Sequence, residues 1–279
     1  MPNHVANKIE FYGDQENISK VLELIKGKDT CIDFNKIVPM PPSLHLTSGG
    51  HQNTAIQYAL SKKSADERVA LEKELKGRSA DFYGSYFKKI FGYGTETDSK
   101  LQEYAKEFEE QLNGTKKDVW DDTDYAGLGI KNFEDLGNMY INNILQYGYD
   151  TWYDWSCANW GTKWNAYDDY LDEPTSQIFF NTAWSCPISV LDKLAEICYE
   201  HNVSFSGKWA DEDRGCNVGI FESDCCGDEY WFSYEVMENC SNEAYDIYVE
   251  LQGESDCMGK DENGNWIGYD CDTCPNKCY

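Results

Sequence analysis

Residues 177–201, QIFFNTAWSCPISVLDKLAEICYEH, change their hydrophobic period partway along. Up to Trp184 the pattern alternates at period two, as in a strand with one buried face. Pro187 then falls where a first helical turn tolerates proline. Beyond it Ile188, Leu191, Leu194, Ala195 and Cys198 recur at the spacing that lines one face of a helix reaching about His201. The same strand-then-helix pattern opens the chain. Val5, Asn7, Ile9 and Phe11 point one way along residues 5–12. Asp14 is placed to cap a helix striped by Ile18, Val21, Leu22 and Ile25, and Gly27 to end it. Residues 31–38, CIDFNKIV, read as a further strand closed by Pro39, Pro41 and Pro42. On the far side, 204–210 and 216–221 read as a hairpin around 212–215, and 230–236 as another strand. The alternation of Tyr245, Ile247, Val249 and Leu251 suggests one more.

Between these two patterned blocks the sequence is irregular. It holds Glu- and Lys-rich helices at 65–76 and 100–112 and a third at 132–146. With this stretch set aside, the order is β-α-β, β-α-β, then extra strands, which is the ferredoxin-like order. The expected fold class is α+β: a ferredoxin-like antiparallel sheet with a large, mostly helical insertion and a cysteine-rich C-terminal extension. The core takes residues 1–42 and 177–252, the helical and aromatic-rich insertion 43–176, and the tail 253–279. The insertion is expected in the hairpin between the second and third strands. One sheet face should carry helices and the other should stay free for function.

Several strings resemble a known family. MPNHVANKIEFYG (1–13), DFNKIVPMP (33–41), NWGTKWNAYD (159–168), FFNTAWSCP (179–187) and KWADEDRGCNVG (208–219) are similar to the YubB-type ferredoxin-like family of phage and plasmid proteins. The resemblance covers about half of the chain, in ordered pieces. It implies a ferredoxin-like fold and a mobile-element origin, and it supplies no catalytic residues. Accessory proteins of that origin often counter host immunity, as anti-CRISPR and anti-Gabija inhibitors do, so an anti-defence role in the cytoplasm of a host bacterium is the expectation it raises.

Charge narrows the function classes independently. Across 279 residues, 50 Asp and Glu face 24 Lys and Arg, a formal net charge of −26. Phosphate-backbone binding requires cations that release counterions, so direct nucleic-acid binding is disfavoured, and an anionic membrane surface for the same reason. A basic partner surface is favoured; the plain alternative is that the charge serves solubility. Residues 210–279 hold 18 of the acids against Arg214, Lys260 and Lys277. The start of the chain shows no basic, apolar leader pattern and no run approaches a membrane span, so a cytoplasmic location is expected, where the 12 cysteines stay mostly reduced.

Candidate site residues follow from these patterns. Asp211, Glu212, Asp213, Asp224 and Asp228 are acidic candidates for a basic partner. Trp152, Trp155 and Trp160, in a run that continues through Trp164 and Tyr167, are candidate aromatic anchors, with core packing as the plain alternative. Cys257, Cys271, Cys274 and Cys278 form C-x13-C-x2-C-x3-C, a pattern close to a zinc ribbon. Four thiolates would close the shell around a structural zinc; disulfides or free thiols compete with that reading, and no cofactor is required. Asp118, Asp121, Asp122 and Asp124 crowd one loop but lack the layout of a calcium loop. His4, His45, His51 and His201 form no paired metal spacing, and no nucleophile or nucleotide motif is present.

The leading expectation is therefore an acidic protein that inhibits a host immune complex by covering its substrate-binding surface, without catalysis of its own. It has no direct nucleic-acid or membrane partner, and repeated contacts would favour a homo-oligomer. Two other classes stand beside it. One is a sponge for a small cytosolic signal, with Lys163 and Lys208 as the nearest anion contacts. The other is a metal-dependent enzyme.

Overall fold

The computed structural model describes residues 3–76, 90–91, 97–114, 123–225, 227 and 229–268. The chain divides into two compact units, Met1–Pro39 with Ser156–Tyr279, and Met40–Trp155.

The first unit is built on a six-stranded sheet of order β2-β3-β1-β4-β5-β6, antiparallel throughout. Its strands are β1 (His4–Tyr12), β2 (Tyr167–Asp172), β3 (Gln177–Ala183), β4 (Ser204–Asp211), β5 (Val218–Asp224) and β6 (Trp231–Val236). Helix α1 (Gln15–Ile25) follows β1, and α8 (Ile188–Glu200) joins β3 to β4. Strands β1 to β4 with α1 and α8 are a ferredoxin-like domain, and β5 and β6 extend its sheet by one hairpin. As the alternation requires, Val5, Asn7, Ile9 and Phe11 are all buried, and they share the core with Ile18, Val21 and Ile25 of α1 and Val190, Leu191, Leu194 and Cys198 of α8.

Four expectations fail, each for a physical reason. Residues 31–38 are not a strand. They form a bend and a four-residue helix, α2 (Phe34–Ile37), capped by Asp33, whose carboxylate accepts the Asn35 N–H at 2.9 Å. Ile32 and Phe34 are buried, but the next buried residue is Ile37, three positions on, so the alternation a strand needs breaks after Phe34. The second core strand is instead β2, YDDYLD. Its three aspartates hide it from any propensity reading, and a bulge between Tyr167 and Tyr170, with Asp168 at φ 51°, breaks its alternation. The insertion therefore precedes the second strand, and residues 156–176, assigned to the insertion by sequence, group with the sheet.

The third failure is at residues 245–251, which are helical. Helix α9 (Asn242–Gln252) starts at Ser241, whose hydroxyl accepts the Ala244 N–H at 3.1 Å. Ala244, Tyr245, Ile247 and Tyr248 form its buried stripe, a period that coincides with strand alternation at only two of the four. The helix packs on the sheet face opposite α1 and α8. Its Glu250 bridges Lys8 at 3.1 Å and Lys208 at 2.6 Å, a directly paired couple on β1 and β4 pointing away from the Ile9 side. That face, expected to be free, is partly covered. Beyond α9, β7 (Met258–Lys260) and β8 (Trp266–Gly268) form a small separate sheet.

The second unit is helical, with α3 (Gln52–Lys62), α4 (Ala65–Lys76), α5 (Asp98–Leu112) and α6 (Phe133–Tyr147). Ala55, Ile56, Ala59, Phe108, Phe133, Leu136, Tyr140, Ile141 and Ile144 make its core. Helix α6 is capped by Asn132, whose side chain accepts the Asp135 N–H at 2.8 Å, and ends at Gly148 in the left-handed region. Gly137 of α6 lies so near the Ala55 carbonyl of α3 that no Cβ fits between them. Helix α7 (Trp152–Asn159) spans the sequence boundary between the units.

Candidate functional site

The strings that stood out in the sequence meet at one end of the first unit's sheet, where they divide into a clasp and an exposed cluster. The clasp is polar and internal. Asp169 accepts the backbone N–H groups of Cys31 and Ile32, the latter at 3.2 Å. Asn165 accepts the Phe34 N–H at 2.8 Å and donates to Asp33 at 2.7 Å. The Trp160 indole N–H donates to the Val38 carbonyl at 2.9 Å, and its ring meets Phe34 edge-on. These bonds satisfy the backbone of 31–38 without a strand partner.

The following turn is fixed onto the end of β3. Thr162 donates to the Ala183 carbonyl at 2.7 Å and accepts the Ala183 N–H at 3.1 Å, and the Ser185 hydroxyl donates to the Gly161 carbonyl. This brings both Trp164 and Trp184 to Lys163, whose Nζ lies over each ring, 4.9 Å from one indole centre and 5.0 Å from the other. The two rings are exposed, Trp164 at 37% and Trp184 at 41%.

Trp184 holds φ 75°, costly for a bulky side chain. Its backbone is tied on both sides: its N–H donates to the Asn3 carbonyl at 2.9 Å, and its carbonyl accepts from Asn217 Nδ2 at 3.2 Å. Asn217 at φ 48° and Asp168 at φ 51° also take the left-handed region, which Asn and Asp adopt more readily than a bulky side chain does. Tyr167 backs Trp164 edge-on, and its hydroxyl lies 2.5 Å from His4 Nδ1. Burial, then the charges of Asp168 and Glu212, push the Tyr167 phenol above its ordinary range. Asp168 is its chain neighbour, and the Glu212 N–H donates to the His4 carbonyl at 3.0 Å.

The residues singled out from sequence separate here. Asp211 is 4% exposed and not available to a partner. Its carboxylate accepts from Asn3 Nδ2 at 3.1 Å, Asp213 N at 3.0 Å and Asn217 Nδ2 at 2.9 Å, and so holds the β4–β5 turn together. Glu212 and Asp213 are exposed on that turn, and Asp224 at the far end of β5. Trp155 and Trp160 are buried, so they serve packing rather than anchoring, and Trp152 is half-buried against Tyr153. Three described tryptophans are exposed: Trp231 on β6, Trp164, whose neighbours in the run were put forward instead, and Trp184, which sequence reading used only to end a strand. Nothing in the sequence shows a tryptophan forced to positive φ.

Asp228, Cys271, Cys274 and Cys278 lie outside the described residues, as do Asp118, Asp121 and Asp122. Cys257 is half-buried, and no group of three or more His, Cys, Asp or Glu gathers among the described residues. On the sheet face shared with α9, a groove of about 500 Å³ is lined by Ser206, Lys208, Ile220, Glu222, Ser233 and Glu235. Lys208 is already paired with Glu250 there, and hydrogen bonds from Lys208 and Lys8 outweigh burial to hold the Glu250 carboxyl below its ordinary range. Two more carboxylates in the lining make this groove a poor seat for an anion.

The fold and the site thus define a ferredoxin-like domain with an exposed tryptophan pair at one end of its sheet. Residues 159–255 match the family model described as the ferredoxin-like domain in Api92-like protein, a span that begins just before Trp160 and ends just after α9. Among solved structures, the chain is similar to the protein api92 from Yersinia pseudotuberculosis, at 12% identity over 85% of this chain and 99% of that one, with a TM-score of 0.38. The comparison with curated proteins gives no match. Among the described residues, no helix is long and apolar enough to cross a membrane.

Proposed function

We propose that this protein works by binding a basic macromolecular surface through the Trp164–Trp184 end of its sheet domain. The observation that carries the reading is the pairing of two exposed indoles with the exposed carboxylates of Asp168, Glu212 and Asp213, beside left-handed backbone at Asp168, Trp184 and Asn217. Aromatic side chains supply contact area at low entropic cost, and the acidic rim steers and selects a positive partner. The partner class that fits the net charge of −26 and the resemblance to phage and plasmid proteins is a host immune complex that itself handles nucleic acid. Occupying its basic substrate surface would inhibit it without any chemistry.

The test is affinity capture of the tagged chain from a bacterial host, with Glu212→Lys/Asp213→Lys compared against the parent. The double variant should lose the partner, and the parent complex should weaken steeply with salt. Recovery of the same partner by both, with no salt dependence, refutes the reading.

A further inference from the structure

We infer that Trp164 and Trp184 are the walls of a cation-binding cage for a guanidinium side chain of the partner, and that Lys163 is an internal stand-in that the partner's arginine displaces. The inference rests on the proposed binding of a basic surface and names the chemical group that the site takes. Lys163's ammonium sits at nearly equal distance from the two indoles, 4.9 Å and 5.0 Å, where the ring quadrupoles favour a cation. The site therefore already displays the charge type it selects.

Its walls do not depend on that occupant. Trp184 is held through Asn3 and Asn217 on its own backbone, and Trp164 follows a turn locked to Ala183 by Thr162 and is backed by Tyr167. The Lys163 carbonyl is held separately by the Ser156 hydroxyl at 2.8 Å, so its backbone position does not depend on where its ammonium sits. A planar guanidinium stacks on an indole face more fully than an ammonium does, and is less strongly hydrated. Exposed Asp168, next to Tyr167 in the chain, and exposed Glu212, whose N–H donates to the His4 carbonyl at 3.0 Å, supply the counter-charge.

The experiment measures binding of an arginine nonapeptide by calorimetry at two salt concentrations. Lys163→Met removes the stand-in; Lys28→Met, at an exposed lysine in the turn after α1, controls for the lost charge. Lys163→Met should tighten binding about 3- to 10-fold beyond the control, the range expected for one exchanged cation–π contact. Trp164→Ala or Trp184→Ala, placed in the Lys163→Met background, should abolish that gain; using both guards against a folding defect in either.

If Lys163→Met and Lys28→Met bind alike while Glu212→Lys/Asp213→Lys weakens the peptide, the cage is refuted and the acidic binding surface stands. If the peptide is indifferent to all of these changes, the surface itself is refuted.

Discussion

Replacing Asp211 with alanine separates a structural carboxylate from the surface charge around it. Asp211 is almost fully buried and accepts three hydrogen bonds, from Asn3, Asn217 and the Asp213 backbone. A hydrogen bond to a charged group contributes about 1.5–3 kcal/mol when its partner is left dry, and nearer 1 kcal/mol when the orphaned donor can rehydrate. Asp213 is exposed, and Asn3 and Asn217 are half-buried, so water can reach all three donors. The low figure applies to each, and the sum is about 3 kcal/mol. The loss also frees Asn217 from one of the bonds that hold it at φ 48°.

In urea, with a slope of roughly 2 kcal/mol per molar, the unfolding midpoint should fall by about 1.5 M. Glu212→Ala and Asp213→Ala, which remove exposed carboxylates, should each stay within about 0.5 kcal/mol of the parent. Circular dichroism and tryptophan fluorescence melts of the three variants provide the measurement. A midpoint for Asp211→Ala indistinguishable from that of Glu212→Ala would refute the assignment of Asp211 to the fold.

Three further outcomes are expected. Glu250→Gln should cost about 0.5–1 kcal/mol near neutral pH, as for a partly exposed ion-pair network. Because the folded carboxyl titrates below its unfolded range, this difference is present above about pH 4.3 and vanishes as pH falls through the folded value; a deficit that persists in strong acid would contradict the Lys8–Glu250–Lys208 bridge. Gly137→Ala gains up to about 1 kcal/mol of helix propensity, but it forces a methyl onto the Ala55 carbonyl at a cost of about 1–3 kcal/mol, so thermal melts should show net destabilisation rather than gain. Timed alkylation at pH 8 with peptide mass mapping should label exposed Cys240 early and Cys186 and Cys198 only on unfolding, since burial raises both of the latter thiols well above their ordinary range; early labelling of Cys198 in the native protein would overturn its placement in the core.

Periodicity in the sequence identified β1, α1, β3 and α8, because each buries one face and the spacing of its apolar residues records which; β-rich composition and turn residues identified the β4–β5 hairpin and β6. It also identified the helices α4, α5 and α6 and the α+β, ferredoxin-like class. Net charge, being a sum over residues, needed no fold to be read. Tertiary structure alone decided the rest. β2 is a strand because β3 offers it an edge, against the preference of its aspartates. Residues 31–38 stay irregular because Asp169, Asn165 and Trp160 take up their backbone groups. α9 is a helix because Ser241 caps it and the sheet face beneath accepts its stripe.

The sorting of like residues was equally out of reach of composition. Asp211 and Glu212 are neighbours of the same charge, yet one is held by three donors and the other faces water. Trp160 and Trp164 sit four residues apart, yet one donates into the clasp and the other stands beside Trp184. A residue's type sets what it can bond to. Which partner it meets depends on segments far away in the chain, and that information exists only once the chain has folded.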